Sequence, residues 1–347
     1  MEFREGDYIE TKEGLFFHVK GILHPDDRVI AFLRYVPSDM GSRKKGENNY
    51  RKIYPINERY KYLEDNYPKY IFYSEINKKK IQSVPINDIK KIYRPQERLK
   101  EIRERDNLTD IEKLTLELSE KIIEESGIDR DRLGVSGSIL VKLQKPGSDI
   151  DLMGYGKDEG WKIRSAMENL RERYPRVCAY DWEGSLEMAE FRWGKTGLPL
   201  EPFARIEGEK ALHGLIGGRD FFIRLVKDPI DIDAKYGEFS YSPVGEAKIR
   251  GVVSGDKDSI FTPNHYEVEK TRTIEGDSFR VEKLSSYRGR FTEQAVEGDE
   301  IVARGRVERV SRKKEKCYRM ILGRPEDYLL PIRSGLKPSE RFEIFKG

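Results

Sequence analysis

Leu133-Gly-Val-Ser-Gly-Ser-Ile-Leu-Val-Lys-Leu-Gln-Lys-Pro-Gly-Ser-Asp-Ile-Asp-Leu-Met153 decides the reading of this 347-residue chain. Leu133–Ser136 is a very short apolar strand, and Gly137-Ser138 turns it. After a spacer of ten residues, Asp149-Ile-Asp-Leu-Met153 forms a second strand. Residues i and i+2 of a strand point to one face, so Asp149 and Asp151 present two carboxylates side by side. Two such charges about 5 Å apart repel by roughly 3 kcal/mol at an effective dielectric of about 20. A divalent cation between them removes that cost. Hard oxygen ligands favour magnesium or manganese, which keep positions open for phosphate oxygens. Gly137 lets the backbone approach a ligand closely, and Ser138 opens a short helix whose free N–H groups and hydroxyl can hold phosphate. A phosphate cradle facing an acidic pair is the equipment of nucleotidyl or phosphoryl transfer.

The spacing of the two aspartates means little by itself. The chain has 23 Asp, so roughly one or two D-x-D pairs arise by chance. Asp129/Asp131, Asp231/Asp233 and Asp256/Asp258 repeat the spacing without a Gly-Ser corner before them. Without that corner, Gly147-Ser148-Asp149 reads as a turn at a solvated strand end.

With it, residues 110–230 resemble the DNA polymerase beta-like nucleotidyltransferase superfamily, of the kind found as predicted nucleotidyltransferases in archaea. The family pattern is an apolar strand, Gly-Ser, about ten residues, then Asp-apolar-Asp-apolar. The resemblance implies that Asp149 and Asp151 bind the catalytic metal ions, Mg2+ or Mn2+. It also implies that Gly137 and Ser138 hold the triphosphate of a nucleoside triphosphate. The chain departs from the family at Val141 and Lys142, where many members place an arginine and a glycine; Lys142 is then the candidate for the missing positive charge. The family also uses a third carboxylate on a later strand. Asp220, just before the strand Phe221–Val226, shares a face with Arg224, which pairs a carboxylate with a cation able to grip phosphate. Asp181 is the rival, followed by Glu187 and Glu190.

The segments around this core fall into three regions. Residues 1–95 read as a β-rich module: a hairpin about Lys12-Glu13-Gly14, a strand Val29–Val36, a polar mobile loop over 38–49, and short strands at Tyr70–Tyr73 and Ile81–Val84. Residues 96–240 form the nucleotidyltransferase-like domain, of the α/β (α+β) class with a mixed sheet and helices. There Thr109 and Glu112 fit a capping box, Gly127 ends a helix, and further helices span 158–173 and 185–213. Residues 241–347 alternate short strands with Gly/Asp turns, which predicts a small β-barrel, OB-like, with a loose tail over the last dozen residues.

Composition narrows the partners. Basic and acidic residues number 65 and 62, a net of +3, so any nucleic-acid surface must come from local clustering. Two clusters qualify. Seven of the 19 tyrosines lie between Tyr50 and Tyr73 among lysines and arginines, where rings can stack bases or fill a half-buried sheet. Arg304–Arg319 holds eight basic and two acidic residues and reads as a basic hairpin or a soluble loop. Arg288-Gly-Arg290 reads as a turn or a phosphate contact. The dense Lys, Arg and Glu content resembles a thermophile's ion-paired surface. Cys178 and Cys317 make neither a disulfide framework nor a four-ligand zinc site and suit a reducing cytosol. No membrane-spanning stretch or secretory leader is present, so a cytoplasmic protein is expected. The four histidines show no ligand spacing.

The expectation is therefore a metal-dependent nucleotidyltransferase acting on an acceptor hydroxyl, with RNA or DNA as a partner. The competing expectation is a non-catalytic nucleic-acid-binding protein that retains the fold.

Overall fold

The structure, a computed structural model, describes residues 2–232, 234–313 and 315–332. Asp233, Lys314 and the tail expected at the C-terminus lie outside the described residues. The fold is of the mixed α+β class, with seven α-helices and 19 strands among the described residues.

β1 (Tyr8–Thr11) and β2 (Phe16–Val19) form the hairpin about Gly14, which takes the positive φ the turn requires. β3 (Arg28–Pro37), β4 (Arg43–Lys45), β5 (Asn48–Lys52), β6 (Ile71–Ser74), β7 (Lys79–Pro85) and β8 (Ile89–Tyr93) complete an antiparallel sheet ordered β4-β5-β3-β2-β1-β8; β7 branches from β3 and carries β6. Helix α1 (Ile56–Asn66) packs Leu63 into one apolar layer with Ile9, Phe17, Val29, Ala31 and Leu33. The segment expected as a mobile loop at 38–49 contains the β4–β5 hairpin instead. Arg43 ties it down, donating to the Leu143 carbonyl at 2.5 Å with its guanidinium over the Tyr35 ring. A polar composition therefore did not signify a loose segment here.

α2 (Pro95–Arg103) and α3 (Asp110–Ser126) follow, the latter with the Thr109/Glu112 capping box formed and Gly127 in the left-handed conformation at its end. Next come β9 (Leu133–Val135), the single turn α4 (Gly137–Leu140), β10 (Ile150–Tyr155) and α5 (Lys157–Arg173). β11 (Val177–Cys178), α6 (Trp182–Trp193), α7 (Glu201–Glu209), β12 (His213–Ile216) and β13 (Arg219–Val226) complete this region. The sheet order is β11-β12-β13-β10-β9, with β10 parallel to β13 and antiparallel to β9.

The last region is β14 (Ser240–Gly255), β15 (Asn264–Gly276), β16 (Val281–Ser286), β17 (Glu300–Arg312), β18 (Glu315–Leu322) and β19 (Tyr328–Pro331). Pairings run β14-β15-β16-β18-β17 and close back on β14, and only β16 and β18 are parallel. This is a closed five-strand barrel with β19 added along β17.

The compact units divide the chain differently from the three regions read in the sequence. One unit holds the chain up to Val177 and Leu215–Tyr236, so the N-terminal sheet and the Gly-Ser corner belong together. The other holds Cys178–Gly214 and the chain from Gly237 on. α6 and α7, expected in the central domain, join the barrel's core: Trp193 stacks on Phe203 at 4.7 Å and meets Phe291 edge-on at 5.2 Å. Burial of large aromatic side chains outweighs proximity in the chain.

Candidate active site

β10 presents alternate residues to two faces. Ile150 and Leu152 are buried on one; Asp151 and Met153 lie on the other, and Asp149 comes one residue before the strand. Its parallel partner β13 runs in register, with Asp151 beside Phe222 and Met153 beside Arg224. Asp149 and Asp220 immediately precede the paired Ile150 and Phe221. In-register residues of neighbouring strands share a face, so Asp220, Phe222 and Arg224 stand on the side of Asp151. Asp149 and Asp220 are exposed, while Asp151 is half-buried.

The Gly-Ser corner abuts Asp151. Gly137 has φ +62°, and a Cβ there would lie 2.0 Å from Asp151 Oδ2. Glycine is thus required twice over, by conformation and by space. The Ser136 N–H donates to the Asp151 carbonyl at 2.8 Å, and the Ser136 hydroxyl donates to the Gly6 carbonyl at 2.8 Å. Those bonds join β9, β10 and the N-terminal segment at one point. Ser138 is buried.

Burial pushes the Asp151 carboxyl up to about 6, and the Asp149 charge adds to this; Arg224, Lys52 and Arg34 oppose it. Two of these three cations, Lys52 and Arg34, come from the N-terminal sheet. Packing explains their presence. Tyr8, Phe16, Tyr35 and Tyr50 of that sheet bury themselves against Leu140, Val141 and Leu143, immediately after the corner. The Arg34 guanidinium donates to the Tyr8 hydroxyl oxygen, and Asp151 acts on both. His18, buried, stacks on Tyr8 at 4.9 Å. Burial holds its imidazole well below the usual range, helped by Lys20, Arg224, Arg34 and Arg59. The sequence carried one signal for all this: Arg34 interrupts the otherwise apolar run Val29–Val36, and a charge inside such a strand needs a reason.

The remaining candidates fall elsewhere. The Lys142 ammonium pairs with Glu101 of α2 at 2.6 Å, so its charge is already met by a carboxylate. Asp181 caps α6, accepting the Gly184 N–H at 2.8 Å, and Glu187 and Glu190 lie on the same helix. All three belong to the barrel's unit, not to that of Asp149 and Asp151. Asp231 accepts the Asp228 N–H in a turn. Arg290 is held by the carbonyls of Arg192, Arg324 and Asp327 and lies over the Trp193 ring, so it is a structural clamp rather than a phosphate contact. Of the N-terminal tyrosines, Tyr50 and Tyr70 are core residues, whereas Tyr54 and Tyr73 are exposed. On the barrel, Arg312 and Arg319 pair with Glu238 and Glu308; Arg304, Arg309, Lys313 and Lys316 are exposed. A cleft of about 440 Å³ at the far end of β10, beside Tyr155, is lined by Arg4, Arg94 and Arg132. They pair with Glu2, Asp7, Glu97 and Asp228, which leaves the cleft little net charge.

Two carboxylates are enough for magnesium, which is usually bound by one or two carboxylates together with waters and substrate phosphates. The Asp149/Asp151 pair fits that donor set, and the mutual repulsion at Asp151 is what a dication relieves. Among the described residues no three His, Cys, Asp or Glu side chains cluster as a metal cage. Among them, too, no helix is long and apolar enough to cross a membrane.

No family model matches the chain, and no solved structure matches it. It is 34% identical over 333 residues to the uncharacterized protein MJ1086 of Methanocaldococcus jannaschii, an alignment covering 93% of this chain and 95% of that protein. That identity, sustained over nearly the whole of both chains, places the protein in the same family as MJ1086.

Proposed function

We propose that this protein is a metal-dependent nucleotidyltransferase, moving a nucleotidyl group from a nucleoside triphosphate to an acceptor hydroxyl. The observation that carries the reading is the contact of Gly137 with Asp151, with the Asp149 charge acting on the same carboxyl. A side-chain-free backbone corner packed against a carboxylate brings the backbone close to where a metal-bound phosphate would lie. Asp149 and Asp151 hold magnesium or manganese, which supplies charge neutralisation at the phosphates. Asp220, next to Asp149 by register, accepts the proton of the acceptor hydroxyl. The acceptor oxygen bonds to the α-phosphorus, the bond from that phosphorus to the bridging oxygen breaks, and pyrophosphate leaves. The barrel favours a polyanionic acceptor. Its strand order and exposed basic hairpin suit oligonucleotide binding of the OB type, and RNA is the acceptor we favour.

The test is label transfer from nucleoside triphosphates to cellular RNA with magnesium. Asp149→Asn with Asp151→Asn should abolish transfer and leave the metal-free melting temperature unchanged or higher. Transfer retained by that double variant refutes the assignment. Salt-sensitive RNA binding by a wild-type protein that consumes no nucleotide instead supports a non-catalytic RNA-binding protein.

A further inference from the structure

We infer that Arg34, Lys52 and Arg224 form an anion subsite for the polyphosphate tail of the nucleotide, so that the N-terminal sheet supplies half of the substrate pocket. The identity of the ligand rests on the transfer reading; the presence of an anion site does not.

Arg224, Lys52 and Arg34 all act on the Asp151 carboxyl. Arg34 and Lys52 stand on adjoining strands, where the Ile53 N–H donates to the Arg34 carbonyl at 3.0 Å and Lys52 pairs with Tyr35. Glu5 is fully buried and taken by Lys20 at 2.5 Å and by the Gly21 N–H at 2.6 Å. Arg224 lies 3.6 Å from it, too far for a hydrogen bond.

Unsatisfied donors mark the same place. Arg34 Nε and Arg224 Nη1 are buried with no hydrogen-bond acceptor. Leaving such donors unmet in a low-dielectric site is costly. Arginine forks match phosphate oxygens in pairs, and a lysine adds a point charge. Lys52, half-buried at the end of β5 with its ammonium 4.3 Å from the Tyr54 ring, is the more accessible partner. Arg224 reaches the site from β13 on the face of Asp151, whereas Arg34 and Lys52 reach it from the sheet packed on the Gly-Ser corner. A polyphosphate there meets three cations and stands beside the pair that holds the metal. Phosphate binding is then distributed over two sheets, and the family's usual position for this charge, here Lys142, is free to pair with Glu101.

Inorganic tripolyphosphate is the probe, titrated calorimetrically into the full chain at low salt with a chelator present. The wild type should bind. Arg34→Met should weaken binding by about tenfold or more, as expected for loss of charge-assisted bonds. Lys52→Met should weaken it less. Asp149→Asn with Asp151→Asn should bind at least as tightly as the wild type. No binding by the wild type, or unchanged affinity in both cation variants, overturns the subsite. If Arg34→Met does not fold, as judged by circular dichroism, Lys52→Met decides alone. Binding lost in the cation variants of a protein that transfers no nucleotide keeps the subsite and sinks the transfer reading. Transfer with tripolyphosphate affinity untouched by these variants does the reverse.

Discussion

A side chain at position 137 would collide with Asp151: the Cβ would stand 2.0 Å from Oδ2, in a backbone with φ +62°. The left-handed conformation alone costs an alanine about 1–2 kcal/mol, and the collision adds displacement of the carboxylate. Gly137→Ala should therefore lower the denaturant midpoint modestly and reduce label transfer far more than that loss of stability explains. Equal transfer by the variant and the wild type would show that the corner does not shape the site.

Lys142 takes φ +58° on an exposed turn and pairs with Glu101. A surface pair of this kind contributes about 0–1 kcal/mol. Lys142→Ala should leave kcat/KM for the triphosphate within about threefold of wild type, less than half a decade in transition-state stabilisation. Steady-state kinetics beside Arg34→Met compare the two positions directly.

Asp7 is buried, and desolvation pushes its carboxyl up to about 6 from an ordinary 3.8, against the Arg4 N–H and the charges of Arg94 and Arg4. The folded state holds this proton more tightly than the unfolded chain. Stability from this group is full below about pH 4 and falls as pH rises through about 6, by up to about 3 kcal/mol. Asp7→Asn should raise the melting temperature at pH 8 and make no difference near pH 4. Equal gains at both pH values would argue against the shift.

Glu207 is fully buried in the barrel's unit. Burial alone would raise its carboxyl, but Arg192, Lys210 and His213, with the Trp193 indole N–H, hold it down to about 2. Its contribution is present above about pH 4.5 and is lost as pH falls toward 2. Glu207→Ala strands buried cations and should cost about 3–5 kcal/mol. Urea unfolding at pH 7, followed by tryptophan fluorescence, measures this. Glu207→Gln should shrink the difference from wild type as pH approaches 2.

The Thr109 capping box begins α3, with the Thr109 N–H and hydroxyl both donating to Glu112. Thr109→Ala should destabilise the protein by about 1 kcal/mol. Denaturant unfolding checks it, with transfer activity expected to be intact.

Much of the local structure could be read directly. The Thr109–Glu112 box, the Gly127 stop, the hairpin about Gly14 and the strand at Phe221–Val226 all follow from short-range sterics and hydrogen bonding, and all are present. The common face of Asp220 and Arg224 follows from the two-residue period of β13, whereas Asp149 lies one residue before β10. The β4–β5 hairpin was missed because its anchor, Arg43 to the Leu143 carbonyl, spans 100 positions. The partition of the chain was missed because α6 and α7 carry aromatic residues whose burial partners lie in the barrel.

By itself, then, the amino-acid order determined the periodic elements and the caps, because each depends on neighbours a few residues apart. Only the tertiary structure decided which cations act on the Asp151 carboxyl. Arg34 and Lys52 are about a hundred residues away in sequence, and burial of Tyr8, Phe16, Tyr35 and Tyr50 against Leu140–Leu143 brings their sheet to the corner. Charge acts through space, and packing of apolar surface sets the distances over which it acts.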